Sequence, residues 1–234
     1  MSLELNGDIT LEDLRIIGYR GNSDGIDFAS CARARARDCF IRTADDNLVA
    51  VSVRRHWSHV HPPAGLPEPD LHDVEFSQCI LWQDRDGPDP IHVGWSMWGG
   101  DMYDLRFRDI DILHTRGGKE SNQIAIHPCW WGQPGKTIHE VLFEDIRAED
   151  AQGGPLFLIA QLNKPQTIRD IRFRNIHVLA GAPRNSVITV HHPDGTAIEN
   201  ITFENVEIYG RKIRNASESE LEIPPRSTRS IQFR

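Results

Sequence analysis

The feature that most restricts this chain is a six-residue pattern, apolar-x-aromatic-x-Asp/Asn-apolar, that returns along its length. Four copies are clean: Leu105-Arg-Phe-Arg-Asp-Ile110, Val141-Leu-Phe-Glu-Asp-Ile146, Ile171-Arg-Phe-Arg-Asn-Ile176 and Ile201-Thr-Phe-Glu-Asn-Val206. Ala34-Arg-Ala-Arg-Asp-Cys39 and Val74-Glu-Phe-Ser-Gln-Cys79 are weaker copies, and Ser230-Ile-Gln-Phe-Arg234 opens another. The copies begin at 34, 74, 105, 141, 171, 201 and 231, at intervals of 40, 31, 36, 30, 30 and 30 residues. Such steps suit one coil of a stacked array.

In each copy the first and third residues are apolar and the second and fourth are mostly polar, the period-two alternation of a strand with one buried face. The fifth residue (Asp38, Gln78, Asp109, Asp145, Asn175, Asn205) suits a bend, because these side chains bond nearby backbone and tolerate turn conformations. A second short apolar run follows in each repeat: Leu48-Val-Ala-Val51, Ile91-His-Val93, Ile124-Ala-Ile126, Leu156-Phe-Leu-Ile159 and Val187-Ile-Thr-Val190. Strand, bend, strand and loop, repeated, predict an all-β, right-handed, single-stranded parallel β-helix whose coils bury their inner faces against one another. A propeller needs four strands per repeat, and a leucine-rich repeat needs its own consensus. One domain over 1–234 is expected, beginning with a coil at Leu11 to Ile17. No capping element is evident, so a fragment of a longer enzyme, or a piece that stacks end to end on another chain, is expected.

Aligning Ile26, Leu48, Ile91 and Ile124 as equivalent core positions puts Asp24, Asp46, Asp89 and Asn122 in one row two residues earlier. Rungs of a sheet lie about 4.8 Å apart, so Asp24 and Asp46 become near neighbours with Asp45 beside them. Like charges this close raise at least one carboxyl pKa. A pair of carboxyl groups, one protonated and one not, is what hydrolysis of a glycosidic bond requires. All six tryptophans fall between Trp57 and Trp131. Trp95, Trp130 and Trp131 are the expected stacking platforms for sugar rings.

Charge and cysteine usage narrow the partners. A net charge of -8 and a pI near 5.7 argue against nucleic acid. No run approaches the length of apolar residues that spans a bilayer, and the N-terminus lacks the features of a signal peptide. The four cysteines, Cys31, Cys39, Cys79 and Cys129, lack zinc-site spacing and are expected as buried thiols. His56, His59 and His61 form a spacing that suits a polar loop better than a metal site. No metal and no cofactor are expected. Arg33, Arg35 and Arg37 read as the outward face of a strand with Ala34 and Ala36 inward. The Pro-rich stretch 61–69 reads as a stiff loop.

Asn22-Ser-Asp-Gly-Ile-Asp27, followed 21 residues after Asp24 by Asp45-Asp46, resembles the NTD and DD motifs of polygalacturonases and related β-helical glycoside hydrolases of the pectin-lyase-like fold. Trp82-Gln-Asp-Arg-Asp-Gly-Pro-Asp-Pro-Ile-His-Val-Gly-Trp95 and Asp111-Ile-Leu-His-Thr-Arg116 look more like the dextranase and isopullulanase family. The resemblance implies an inverting hydrolase with Asp45 as general acid, and Asp24 and Asp46 activating water. It implies a secreted or extracytoplasmic location and a polysaccharide or oligosaccharide substrate. Asn22, Asp89, His92, Gln123 and His127 join the tryptophans as expected sugar contacts. Where polygalacturonases carry GHG and RIK motifs, this chain has Asp89-Pro90-Ile91 and Gln123-Ile124-Ala125. A galacturonate carboxylate would be left unpaired there, which favours a neutral, α-glucan-like polymer over pectin. The competing expectations are a non-catalytic carbohydrate-binding or structural β-helix, a polygalacturonase-type hydrolase, and a polysaccharide lyase. The last lacks the cations its uronate substrate demands.

Overall fold

The computed structural model describes residues 1–4, 7–53, 68–84, 89–116, 122–128, 131–132, 135–153, 156–160, 166–183, 188–191, 197–215, 217 and 231–234. Among them there is no helix, and none is long and apolar enough to cross a membrane. The strands form two sheets, one of eight and one of eleven. The smaller runs in the order Ser2–Glu4, Ile26–Ala29, Leu48–Ser52, Ile91–Met97, Ile124–Ile126, Phe157–Ala160 and Ile188–His191, with Trp131–Gly132 also beside Ile91–Met97. The larger orders Gly7–Glu12, Ala32–Arg37, Leu71–Gln83, Met102–Thr115, Thr137–Gly153, Thr167–Pro183 and Ala197–Ile208. Arg15–Ile17 and Phe40–Thr43 continue it beside Leu71–Gln83, and Ile231–Phe233 lies against Ala197–Ile208. The chain visits the two sheets in alternation and advances one strand each time. Among the described residues every strand pairing is parallel except the short return of Arg211–Lys212 onto Ala197–Ile208.

The repeat sets the register. Val74, Leu105, Val141, Ile171, Ile201 and Ile231 are successive partners, as are Phe76, Phe107, Phe143, Phe173, Phe203 and Phe233. Their rings form a continuous stack with centroids 4.8–5.3 Å apart, the offset spacing that aromatic quadrupoles favour. Phe28 extends the stack from the smaller sheet at 5.0 Å from Phe76, and Phe157 meets Phe173 edge-on at 5.2 Å. The core thus lies between the sheets and runs the length of the array.

Each fifth-position residue adopts positive φ: Asp38 (55°), Gln78 (54°), Asp109 (54°), Asp145 (54°), Asn175 (55°) and Asn205 (51°). This left-handed region costs an ordinary residue about 1–2 kcal/mol and is tolerated by Asn and Asp. Their side chains bond between neighbouring strands: Asn175 Nδ2 donates to Asp145 Oδ1 (2.8 Å) and Asn205 Nδ2 to Asn175 Oδ1 (2.9 Å). A second column of left-handed residues, Asp8, Arg33, Asp73, Asp104, Glu140, Asp170 and Asn200, precedes the copies and bends the strands again. The first repeat is Ile9-Thr-Leu-Glu-Asp-Leu14, with Asp13 at φ 52° and Ile9 and Leu11 paired with Ala34 and Ala36. It begins two residues before the Leu11 expected from sequence.

Ala34 and Ala36 are buried, and Arg33, Arg35 and Arg37 form ion pairs with Asp8, Asp73 and Glu12. Cys31, Cys39 and Cys79 are buried. Cys129, the three loop histidines and most of the Pro-rich stretch lie outside the described residues.

Candidate active site

The smaller sheet positions the acidic cluster. Ile26 pairs with Leu48, Leu48 with Ile91, and Ile91 with Ile124, so the row Asp24, Asp46, Asp89, Asn122 stands on consecutive rungs at the entry to these strands. The Gly25 amide donates to Asp46 O (2.8 Å), carrying the backbone ladder to the carboxylates themselves. Side chains extend it. Asp46 Oδ1 accepts from the Asp89 amide at 2.6 Å. Asp89 Oδ1 accepts from the Asn122 amide (2.6 Å) and from Asn122 Nδ2 (3.0 Å). Asp45 Oδ1 accepts from the Asp46 amide (3.1 Å), and Thr43 Oγ1 donates to Asp45 O (2.6 Å), fixing the turn.

These rungs stack closely because of Gly25. A Cβ there would lie 2.2 Å from Asn47 O and 2.5 Å from Ile41 Cγ2, so no side chain fits unless the neighbouring coil moves. Gly25→Ala is expected to destabilise the protein by about 1–3 kcal/mol, the usual range for forced overpacking. Urea unfolding checks this, and an unchanged midpoint would refute the close approach.

The electrostatics are uneven across the cluster. Burial, with the charges of Asp45 and Asp46 added, raises Asp24 to about 6. Burial and the charge of Asp24 raise Asp27 to about 8. Burial raises Asp89 to about 7 against the opposing pull of His92. His92 Nδ1 lies 3.3 Å from Asp46 Oδ2 and 3.2 Å from Asp89 Oδ2, and the residue is 5% exposed. Burial alone would lower its pKa, but Asp46 and then Asp89 outweigh that and lift it to about 9. His127 stacks on His92 with centroids 6.2 Å apart, and burial together with the His92 charge pushes it down to about 3.

Of the expected contacts, Asp24, Asp45, Asp46, Asp89, His92 and His127 gather in one place. Gln123 does not. Its Nε2 donates to Thr115 Oγ1 (2.9 Å) and Gln152 O (3.3 Å), at 3% exposure, so it braces a corner rather than facing a sugar. Asn47, the equivalent residue two coils earlier, likewise donates inward to Thr43 Oγ1 (2.6 Å) and Trp82 O (3.2 Å). Asn22 is an exposed turn residue at φ 57°. Trp130 and the side chains of Trp95 and Trp131 lie outside the described residues.

Asp27 was missed as a site residue, although it stands inside the quoted Asn22 to Asp27 motif. Its signal was the alternation. Ile26 and Phe28 turn inward, so Asp27 turns outward in the row that register continues through Val49 to His92. Its Oδ1 is buried without a hydrogen-bond partner, which agrees with a carboxyl that keeps its proton.

Among the described residues, Asp46, Asp89 and His92 form a group whose ligand atoms lie within 4.8 Å of one another, the composition a divalent cation accepts. The same contacts are satisfied by an imidazolium shared between two carboxylates. Chemically, the cluster offers carboxyl groups in contrasting environments on adjacent rungs. Compared with known proteins, the chain matches no family model and no curated protein.

Proposed function

We propose that the chain is a right-handed parallel β-helix of the pectin-lyase-like kind and a glycoside hydrolase that cleaves a neutral polysaccharide with inversion. The observation that carries the reading is the unequal treatment of two carboxyls on neighbouring rungs. Asp24 is raised to about 6 by burial and by Asp45 and Asp46, which brings it into the range where a carboxyl can give a proton to the leaving oxygen. Asp46 receives the Asp89 amide and faces His92, contacts that suit a carboxylate drawing a proton from water. The motif resemblance would give the acid role to Asp45. We assign it to Asp24, whose carboxyl burial and its acidic neighbours raise.

A neutral substrate fits the charge of the cluster. A uronate would meet Asp24, Asp45, Asp46 and Asp89, and among the described residues His92 is already shared between two of these acids. A desolvated sugar carboxylate would be repelled by the rest.

The test is release of reducing ends from dextran, pullulan, pectate and arabinoxylan, with proton NMR of the first anomer formed. Cleavage of a neutral glucan with the inverted anomer is the expected result. Initial release of the retained anomer would refute inversion, and preference for pectate would refute the neutral substrate. Binding to a polymer without cleavage would make the protein a carbohydrate-binding β-helix.

A further inference from the structure

We propose that Cys39 and Cys79 are a modification site, a thiol pair that closes a disulfide tying Phe40–Thr43 to Leu71–Gln83, whether or not the chain cleaves a glycan. Both occupy the sixth place of the repeat. That column runs Leu14, Cys39, Cys79, Ile110, Ile146, Ile176 and Val206 across the larger sheet, aliphatic everywhere except at these two neighbours. One cysteine in such a column is a small apolar filler. Two on consecutive rungs set sulfur against sulfur. Arg37 pairs with Ser77 and Phe40 with Ile80, so Cys39 stands opposite Cys79, and the Ile80 amide donates to Cys39 O at 2.8 Å. Both strands bend through a left-handed residue just before the cysteine, Asp38 and Gln78, so the two side chains leave the backbone in the same direction. Cys39 Sγ donates to Arg37 O (3.2 Å) and Cys79 Sγ to Ser77 O (3.3 Å). These equivalent contacts place the sulfurs side by side, within hydrogen-bond reach of one another. Neighbouring strands lie about 4.8 Å apart, and the Cα atoms of a disulfide about 4.4–6.8 Å apart, so the bond closes with little movement of the backbone.

The thiols are 2% and 1% exposed, so a reagent reaches them through local opening, and the fold says where. Among the described residues, Gly7–Glu12 and Arg15–Ile17 pair on one side only, with Ala32–Arg37 and Phe40–Thr43. Leu14, which joins them and covers Cys39, is only partly buried. Strands held on one side open at lower cost than those held on both, and lifting Leu14 uncovers Cys39. Cys39 is also the readier nucleophile. Its hydrogen bond with Cys79, helped by the Leu14 backbone and the Arg15 guanidinium, lowers its thiol pKa against the cost of burial, while the same bond and burial raise Cys79. The oxidant is a small-molecule disulfide of the oxidised glutathione class. The Cys39 thiolate attacks one of its sulfurs, the S–S bond breaks, and one thiol leaves. Cys79 then attacks the Cys39 sulfur and expels the second thiol. Two cysteine thiols are oxidised, one disulfide is reduced, and the two cysteine protons end on the two released thiols.

The full chain, folded and without denaturant, is equilibrated with oxidised glutathione, alkylated under denaturing conditions and mapped by peptide mass. The expected product is a Cys39–Cys79 peptide pair lighter by two hydrogens, with Cys31 and Cys129 alkylated. The thermal midpoint of the oxidised chain should lie about 5–10 °C above that of the reduced chain, since the link restricts the unfolded state. Dithiothreitol should reverse both changes. Cys79→Ala should abolish the link and the thermal shift, and Cys31→Ala should keep both. Should Cys79→Ala fold poorly, Cys79→Val, nearer in volume to the rest of the column, gives the same comparison. A link that forms only after unfolding in urea, or that joins Cys31 or Cys129 instead, would overturn the pairing. So would glutathione that stays on Cys39 without displacement by Cys79. A Cys39–Cys79 link that leaves the midpoint unchanged or lower would overturn its role as a tie between the strands.

Discussion

Asp24→Asn is expected to lower kcat on the cleaved glycan by about 10²–10⁴-fold, the usual worth of a general acid, while KM changes much less. The residue is placed by Gly25, whose amide ties its turn to Asp46 O at 2.8 Å, and its proton is held by burial and by Asp45 and Asp46. In the wild type, activity should decline above about pH 6 as Asp24 ionises. In Asp24→Asn that decline should vanish, leaving a flat residual rate. If Asp45→Asn removes the decline while Asp24→Asn retains it, the roles are reversed. Stability separates chemistry from misfolding. The folded-state pKa of Asp24 lies above its ordinary value of 3.8, so between these values the folded chain binds more protons than the unfolded one. Folding stability therefore falls as pH rises across that window. The amide variant lacks this dependence and should be at least as stable as the wild type above pH 6, as read by urea midpoints at pH 7.5.

The sequence revealed the spacing of the repeats better than their corners. Leu105, Val141, Ile171 and Ile201 carry a strong apolar period, and they fall on successive partners. The repeat at Ile9 was displaced because Leu11 stands where most copies have an aromatic, so local residues did not distinguish it from background. The second bend was hidden for a different reason. Its positions are held by Asp, Asn, Arg and Glu, and Arg33 and Glu140 are not turn residues by propensity; the stacking of neighbouring coils imposes their left-handed backbone. In the site, the row Asp24, Asp46, Asp89, Asn122 was legible because register is fixed by apolar partners. Inward or outward direction at a corner was not, since alternation holds along a strand and fails where the chain turns. Gln123 is the case in point. The contacts of Asp46 and Asp89 also escaped, because they depend on which way two carboxylates rotate, and the backbone amides of Asp89 and Asn122 on the neighbouring rungs decide that.

Phe173→Ala is expected to remove about 3–5 kcal/mol, the range for truncating a buried aromatic. Phe173 is fully buried, stacks on Phe143 at 4.9 Å and on Phe203 at 4.8 Å, and meets the edge of Phe157 at 5.2 Å. No small residue can close that gap, because the flanking rings are held by strands of 17 and 12 residues, Thr137–Gly153 and Ala197–Ile208. Where the loss is felt tests the architecture. In a quasi-one-dimensional stack each coil contacts only its neighbours, so destabilisation spreads outward from the site. Hydrogen exchange should show amides of Thr137–Gly153, Thr167–Pro183 and Ala197–Ile208 losing protection first, while Leu71–Gln83 retains it. Equal loss across all of these strands would mean that the chain opens as one cooperative unit, and the stack would then be coupled well beyond nearest neighbours.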